Sequence, residues 1–146
     1  MLYLGADHRG YYLKEEIKKF LASKKWKFKD LGNSKYDKDD DFPIFAFKVT
    51  QKIIEQPKEN LGILICGSGI GMSIMANRTK AIRAGLCLTP YAAELGRKAD
   101  NINILVLAGD LTDQVIAQDI IERFLTTKYI PQEKYERRIK MLDELG

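Results

Sequence analysis

The stretch LGILICGSGIGM, Leu61 to Met72, decides the fold of this chain. Leu61 to Cys66 is a short apolar run of strand type, and the glycines at 67, 69 and 71 interrupt it before a helical pattern opens near Met72. Working outward, the same alternation repeats. Met1 to Gly5 and Trp26 to Leu31 come before it, and Ala84 to Leu88 and Ile104 to Ala108 after it, all as strand-type runs. Between them lie stretches of helical spacing. The first carries Leu13, Ile17, Phe20 and Leu21; the second starts at Pro43, a favoured first-turn residue, and carries Ala46, Val49 and Ile53. Later ones run from Pro90 towards Ala99, and from Asp113 to Thr126 with Ile116, Ile120 and Phe124. Five strands separated by helices predict an α/β fold, a doubly wound parallel sheet covered on both faces, because right-handed crossovers place helices on either side. A last helix, Gln132 to Leu145, has Tyr135, Ile139 and Leu142 on one stripe and is a candidate for docking on a partner subunit. The polar, acidic segment Lys35 to Asp41 is predicted to be a mobile loop.

Length and composition narrow the function. With 146 residues, 45% hydrophobic and 30% charged, the chain reads as one globular domain, 1–146, able to bury a core without metals or disulfides. No apolar run approaches the ~20 residues of a membrane helix, and MLYLGADHRG lacks the layout of a signal peptide, so no membrane partner and a cytoplasmic location are expected. Cys66 and Cys87 lie in apolar runs without CxxC spacing, which predicts reduced thiols. A net charge of +4 from 24 basic and 20 acidic residues favours small anions over nucleic acid. The cluster Lys134, Arg137, Arg138 and Lys140 has no aromatic interleaving beyond Tyr135 and reads as a helix face, two of whose cations suffice to clamp a phosphate.

In an open parallel sheet, ligands bind beyond the carboxyl ends of the strands where the winding reverses. Two loops qualify. Gly5 to Gly10 brings the only histidine, His8, beside Asp7 and Arg9. Cys66 to Gly71 follows the third strand; its glycines let N–H groups turn around an anion at a helix start. The loop is neither a Walker loop nor G-x-G-x-x-G. Strand-end cysteines are commonly small buried hydrophobes, yet a thiol beside an anion site and a helix N-terminus suits a base or nucleophile. Cys87 reads as structural. Asp37, Asp39, Asp40 and Asp41 lack the spacing of a calcium loop and read as solvated, with Asp41 placed as a helix cap before Pro43.

GADHRGYYLKEEI, the DFP of Asp41 to Pro43, ILICGSGIGMSIMANR at Ile63 to Arg78, IRAGLC and NINILVLAG together resemble the ribose-5-phosphate isomerase type B family and the related galactose-6-phosphate and allose-6-phosphate isomerases. The likeness spans nearly the whole chain. It implies a Rossmann-like five-stranded sheet in the order 2-1-3-5-4 with an extra C-terminal helix, and a homodimer whose two sites draw on both subunits, further pairing to a tetramer being left open. It also implies aldose–ketose interconversion of a sugar phosphate through a cis-enediolate. By resemblance Cys66 is the base, the N–H groups of Gly67, Ser68, Gly69, Ile70 and Gly71 form the oxyanion site, Ser68 assists at the hydroxyls, and Asp7 and His8 contact the sugar and its phosphate. With one histidine and no carboxylate cluster visible in the sequence, neither metal nor cofactor is expected.

Against the family pattern R-x-H-N-D-x-N, this chain reads Arg97-Lys98-Ala99-Asp100-Asn101-Ile102-Asn103, so the ring-opening histidine is Ala99 and a substrate asparagine is Asp100. An arginine usual in the later turn is Asp110, and the two phosphate arginines become Lys134 and Arg138. Two added negative charges are thus expected near the site. Three activities fit: a sugar-phosphate isomerase that opens rings slowly or relies on another group such as Asp100, an isomerase of a different sugar, phosphorylated or not, or a binding-only dimer. The first is favoured, and retention of Cys66 with the intact glycine loop argues against the last, since binding needs the N–H groups but not the thiol.

Overall fold

The computed structural model describes residues 1–146. Five strands, β1 (Leu2–Ala6), β2 (Phe28–Asp30), β3 (Leu61–Cys66), β4 (Ala84–Leu86) and β5 (Ile104–Ala108), form one sheet in the order β2-β1-β3-β5-β4, every pairing parallel. Helices α1 (Tyr11–Ser23), α2 (Phe42–Glu55), α3 (Ile70–Ala76), α4 (Pro90–Leu95), α5 (Gln114–Thr126) and α6 (Glu133–Leu145) complete the chain. No helix is long and apolar enough to cross a membrane.

The period of two along each strand sorts the core into two layers. Leu2, Leu4, Ile63, Ile65, Leu105 and Leu107 point to the side covered by α1, α4 and α5, whereas Tyr3, Leu64, Cys66, Ile104 and Val106 point to the side covered by α2 and α3. Both faces are therefore buried, as parallel strands require. Cys66 ends the central strand on the α2–α3 side.

Several elements differ from expectation. The second and fourth strands are shorter, Phe28–Asp30 and Ala84–Leu86, because they are the two sheet edges and pair on one side only. The helix from Pro90 stops at Leu95 and widens into a π-turn, Gly96–Asp100, closed by Asn101 at φ 48°. On α1 the fully buried stripe is Lys14, Ile17 and Leu21; Leu13 and Phe20 only flank it. On α5, Ala117 and Ile121 are buried with Ile120 and Phe124, while Ile116 faces out. Helix α6 buries no residue, and its Met141, Leu142 and Leu145 are exposed.

Candidate active site

Cys66 is buried, and its Sγ accepts the N–H of Gly69 at 3.2 Å. Gly69 stands at φ 77° as the N-cap of α3, a conformation that L side chains rarely adopt, and a Cβ there would also strike Leu86. Ser68 Oγ accepts the N–H of Ile70 at 3.3 Å, which holds the hydroxyl at the loop tip. The N–H groups of Gly67 and Ser68 have no acceptor within the chain. Two unclaimed donors beside a buried thiol can receive developing negative charge while the sulfur moves a proton. The second thiol is different: Cys87 is buried, and burial pushes its pKa up to about 11, which keeps it protonated and structural.

The loop after β1 packs on this one. Asp7 donates its N–H to Ile65 O at 3.3 Å, and its Oδ1 accepts the N–H of Gly10 at 3.0 Å. Burial raises the Asp7 carboxyl above its usual value, opposed by the Gly10 hydrogen bond. His8 is held by the acidic segment that the sequence presents as solvated. Asp40 Oδ1 lies 2.7 Å from His8 Nδ1 and accepts the His8 N–H at 3.0 Å, and Asn33 donates its side-chain amide to Asp40. The Asp40 side chain is 5% exposed, so the segment is tied down at this residue rather than solvated throughout. The Asp40 hydrogen bond raises the His8 pKa, with Asp7 adding to it. Asp41 does occupy the N-cap of α2, but its side chain makes no capping hydrogen bond.

Asp7, His8 and Asp40 thus form a cluster whose ligand-type atoms lie within 4.8 Å of one another. The expectation of no carboxylate cluster is corrected here: sequence spacing hid it because the members come from two loops that meet only at the strand ends. Behind them Lys14, 0% exposed, donates to Asp30 at 2.6 Å and to Asn33 O at 2.7 Å, bracing the loop that carries Asn33. A lysine in the apolar stripe of a helix was the available signal. Arg9, carried by the Gly5 to Gly10 loop but given no role by the resemblance, pairs with Asp110. Asp110 does approach the glycine loop, since its N–H donates to Gly67 O at 3.0 Å, but its charge is partnered. With side chains 57% and 40% exposed, such a pair contributes only about 0–1 kcal/mol to stability.

Asp100, Lys134 and Arg138 are not brought to Cys66 within one chain. Asp100 ends the π-turn that precedes β5, at the amino end of the sheet, and lines a groove of about 550 Å³ with Arg138, Met141, Leu142, Leu145 and Gly146. Cys66 sits at the carboxyl end, a strand length of roughly 17–20 Å away at about 3.3 Å per residue. None of the three forms an ion pair in the chain.

A ribose/galactose isomerase family model matches residues 2–142. The chain belongs to that family. Among curated members of this isomerase family, a putative sugar phosphate isomerase of Rickettsia conorii is 44% identical over 86% of each chain. The crystal structure of a ribose 5-phosphate isomerase from Thermotoga maritima superposes with a TM-score of 0.93 at 41% identity, covering 98% of this chain and 97% of the other. The ribose-5-phosphate isomerase B of Mycoplasma genitalium, solved with ribulose-5-phosphate bound, superposes at 0.95 with 33% identity over 99% and 94%. The sheet order of this aldose–ketose isomerase fold agrees with the order the resemblance implied.

Proposed function

We propose that this chain interconverts an aldose phosphate and its ketose, ribose 5-phosphate first among them, by metal-independent proton transfer through a cis-enediolate. The observation that carries this reading is the placement of Cys66 Sγ under the Gly69 N–H, beside the unclaimed N–H groups of Gly67 and Ser68. Cys66 takes the proton from one of C1 and C2 and returns it to the other. The unclaimed N–H groups of Gly67 and Ser68 hold the oxyanion, worth on the order of 3 kcal/mol per donor in the transition state. Ser68 meets the substrate hydroxyls, and His8 with the second oxygen of Asp7 takes the sugar and its phosphate.

One chain supplies half of this site. The exposed apolar residues of α6 and the distance from Asp100 and Arg138 to Cys66 support a homodimer, in which the amino end of a second copy closes over the Cys66 loop. The partner subunit's Lys134 and Arg138 then reach the phosphate. The partner subunit's Asp100 stands in for the imidazole absent at Ala99 in ring opening. The pairing of Asp110 with Arg9 removes one of the two charges that spoke for an unphosphorylated sugar.

The test is NMR of the purified protein in deuterated water with ribose 5-phosphate, allose 6-phosphate, galactose 6-phosphate and the free sugars in parallel. Solvent deuterium entering a phosphate ester at C1 or C2 is the expected result. Activity confined to a free sugar, or exchange with none of them, overturns the proposal.

A further inference from the structure

We infer that Arg9 is an anion-binding residue of the Cys66 site, held ready by Asp110 and surrendered by it when a substrate phosphate arrives. The inference rests on the isomerase reading for the identity of the anion, and on geometry for the site. Arg9 follows β1, Asp110 follows β5, and these strands flank β3 on either side. Their ion pair therefore arches over the loop that leaves β3. A Cβ added at Gly67 would lie 2.8 Å from Asp110 Oδ2 and nearer still to the Arg9 guanidinium, so the cation rests directly on the N–H loop next to Cys66. Glycine at 67 is what gives the guanidinium that seat.

The pair is built to be exchanged. Arg9 gives Asp110 only Nη2, and because either bidentate face of a guanidinium, Nε with Nη2 or Nη1 with Nη2, uses that nitrogen, a phosphate that takes a fork competes with Asp110 for it. Both side chains are well exposed, so water screens their attraction. The neighbouring donors have less to give: Lys14 is wholly buried on Asp30 and Asn33, and His8 spends Nδ1 on Asp40, keeping only Nε2 for the substrate. Arg9 is then the strong donor that this rim can turn to an incoming dianion, and Asp110 is its competitor rather than a bar to phosphate. Where the family pattern has an arginine at the position of Asp110, this chain supplies the guanidinium from the opposite flank of the same loop.

Two readouts test this: calorimetric titration of the full-length protein with inorganic phosphate at low salt, and the kcat and KM for ribose 5-phosphate. Arg9→Met should weaken phosphate binding and raise KM by about 10- to 100-fold with kcat little changed, as expected for loss of a charge-assisted donor that binds ground and transition states alike. Asp110→Asn should move both the other way, tightening binding by roughly 3- to 10-fold, because the competitor is gone. Arg9→Met combined with Asp110→Arg should recover phosphate binding, since the guanidinium is returned from the β5 side. Unchanged phosphate binding in Arg9→Met overturns the inference, as does weakened binding in Asp110→Asn, an exposed substitution whose expected gain cannot arise from misfolding. If no substrate turns over, the isomerase reading fails, while the phosphate titrations still decide the role of Arg9.

Discussion

Asp7, His8, Arg9 and Asp40, at the carboxyl end of the sheet, each hold a partner in the same chain, whereas Asp100 and Arg138, at the amino end, and Lys134 on the same helix as Arg138, form no ion pair. The first group is braced from behind by a lysine with no exposed surface, and the second lies on a π-turn and on a helix that buries nothing. The contrast teaches where preorganisation is invested. The carboxyl end is organised on folding of one chain, and the amino end presents side chains that make no ion pair within it.

The largest effect separating the two ends should come from Cys66→Ala. It removes the proposed base, and turnover measured by deuterium exchange should fall by about 10²–10⁴-fold while phosphate-ester binding persists. Normal turnover would end the assignment. Next, the two ends can be broken separately and recombined. Cys66→Ala and Arg138→Ala, each impaired alone, should regain about a quarter of wild-type sites when subunits are mixed and allowed to reassort, because half the dimers then hold one intact composite site. No recovery after demonstrated subunit exchange would place both residues in one chain's site, or outside it.

Stability should divide the ends as well. Lys14→Met takes the buried lysine from Asp30, whose carboxyl, against the cost of burial, is held below its usual value by Lys14 and Lys18, and should lower unfolding free energy in urea by about 2–4 kcal/mol. Lys134→Ala on exposed α6 should stay within about 0.5 kcal/mol of wild type. Equal losses would erase the distinction. The Asp30 contribution is present above the ordinary value of 3.8 and is lost as pH falls through the lower folded value, so the gap between Lys14→Met and wild type should narrow in acid.

The smallest effect is at His8. Its raised pKa means that the imidazolium–Asp40 attraction is fully present below the ordinary value of 6.5 and is lost as pH rises through the higher folded value. As the only histidine, it gives one set of ring resonances in a proton NMR titration. Asp40→Asn should bring its midpoint down, with Asp7 and Arg9, the other charges beside the ring, left in place to offset each other. An unmoved midpoint would mean that Asp40 serves the backbone N–H of His8 and not its ring.

Much of the molecule was legible before folding was considered. Leu61 to Cys66 and the three glycines after it marked the central strand and the loop on Cys66 because strand composition and glycine punctuation are local properties. The edge strands are shorter than their composition suggests, since Trp26 packs on the core and Leu88 is exposed, and neither joins a ladder. The stripe of α1 was read without Lys14, since a charged residue looks out of place on an apolar face until Asp30 and the Asn33 carbonyl are brought to it.

The sequence by itself determined the alternation of strands and helices, the glycine loop, the thiol beside it and, against the family pattern, the departures at Ala99, Asp100 and Asp110. Only the tertiary structure decided that Asp40 holds His8, that Arg9 arches to Asp110 across Gly67, and that Asp100 and Arg138 lie a strand length from Cys66. The reason is geometric. A parallel sheet gathers the carboxyl ends of all its strands along one edge, so side chains as far apart in the chain as Arg9 and Asp110 meet there. The turns that enter the strands, Asp100 among them, are left at the opposite edge.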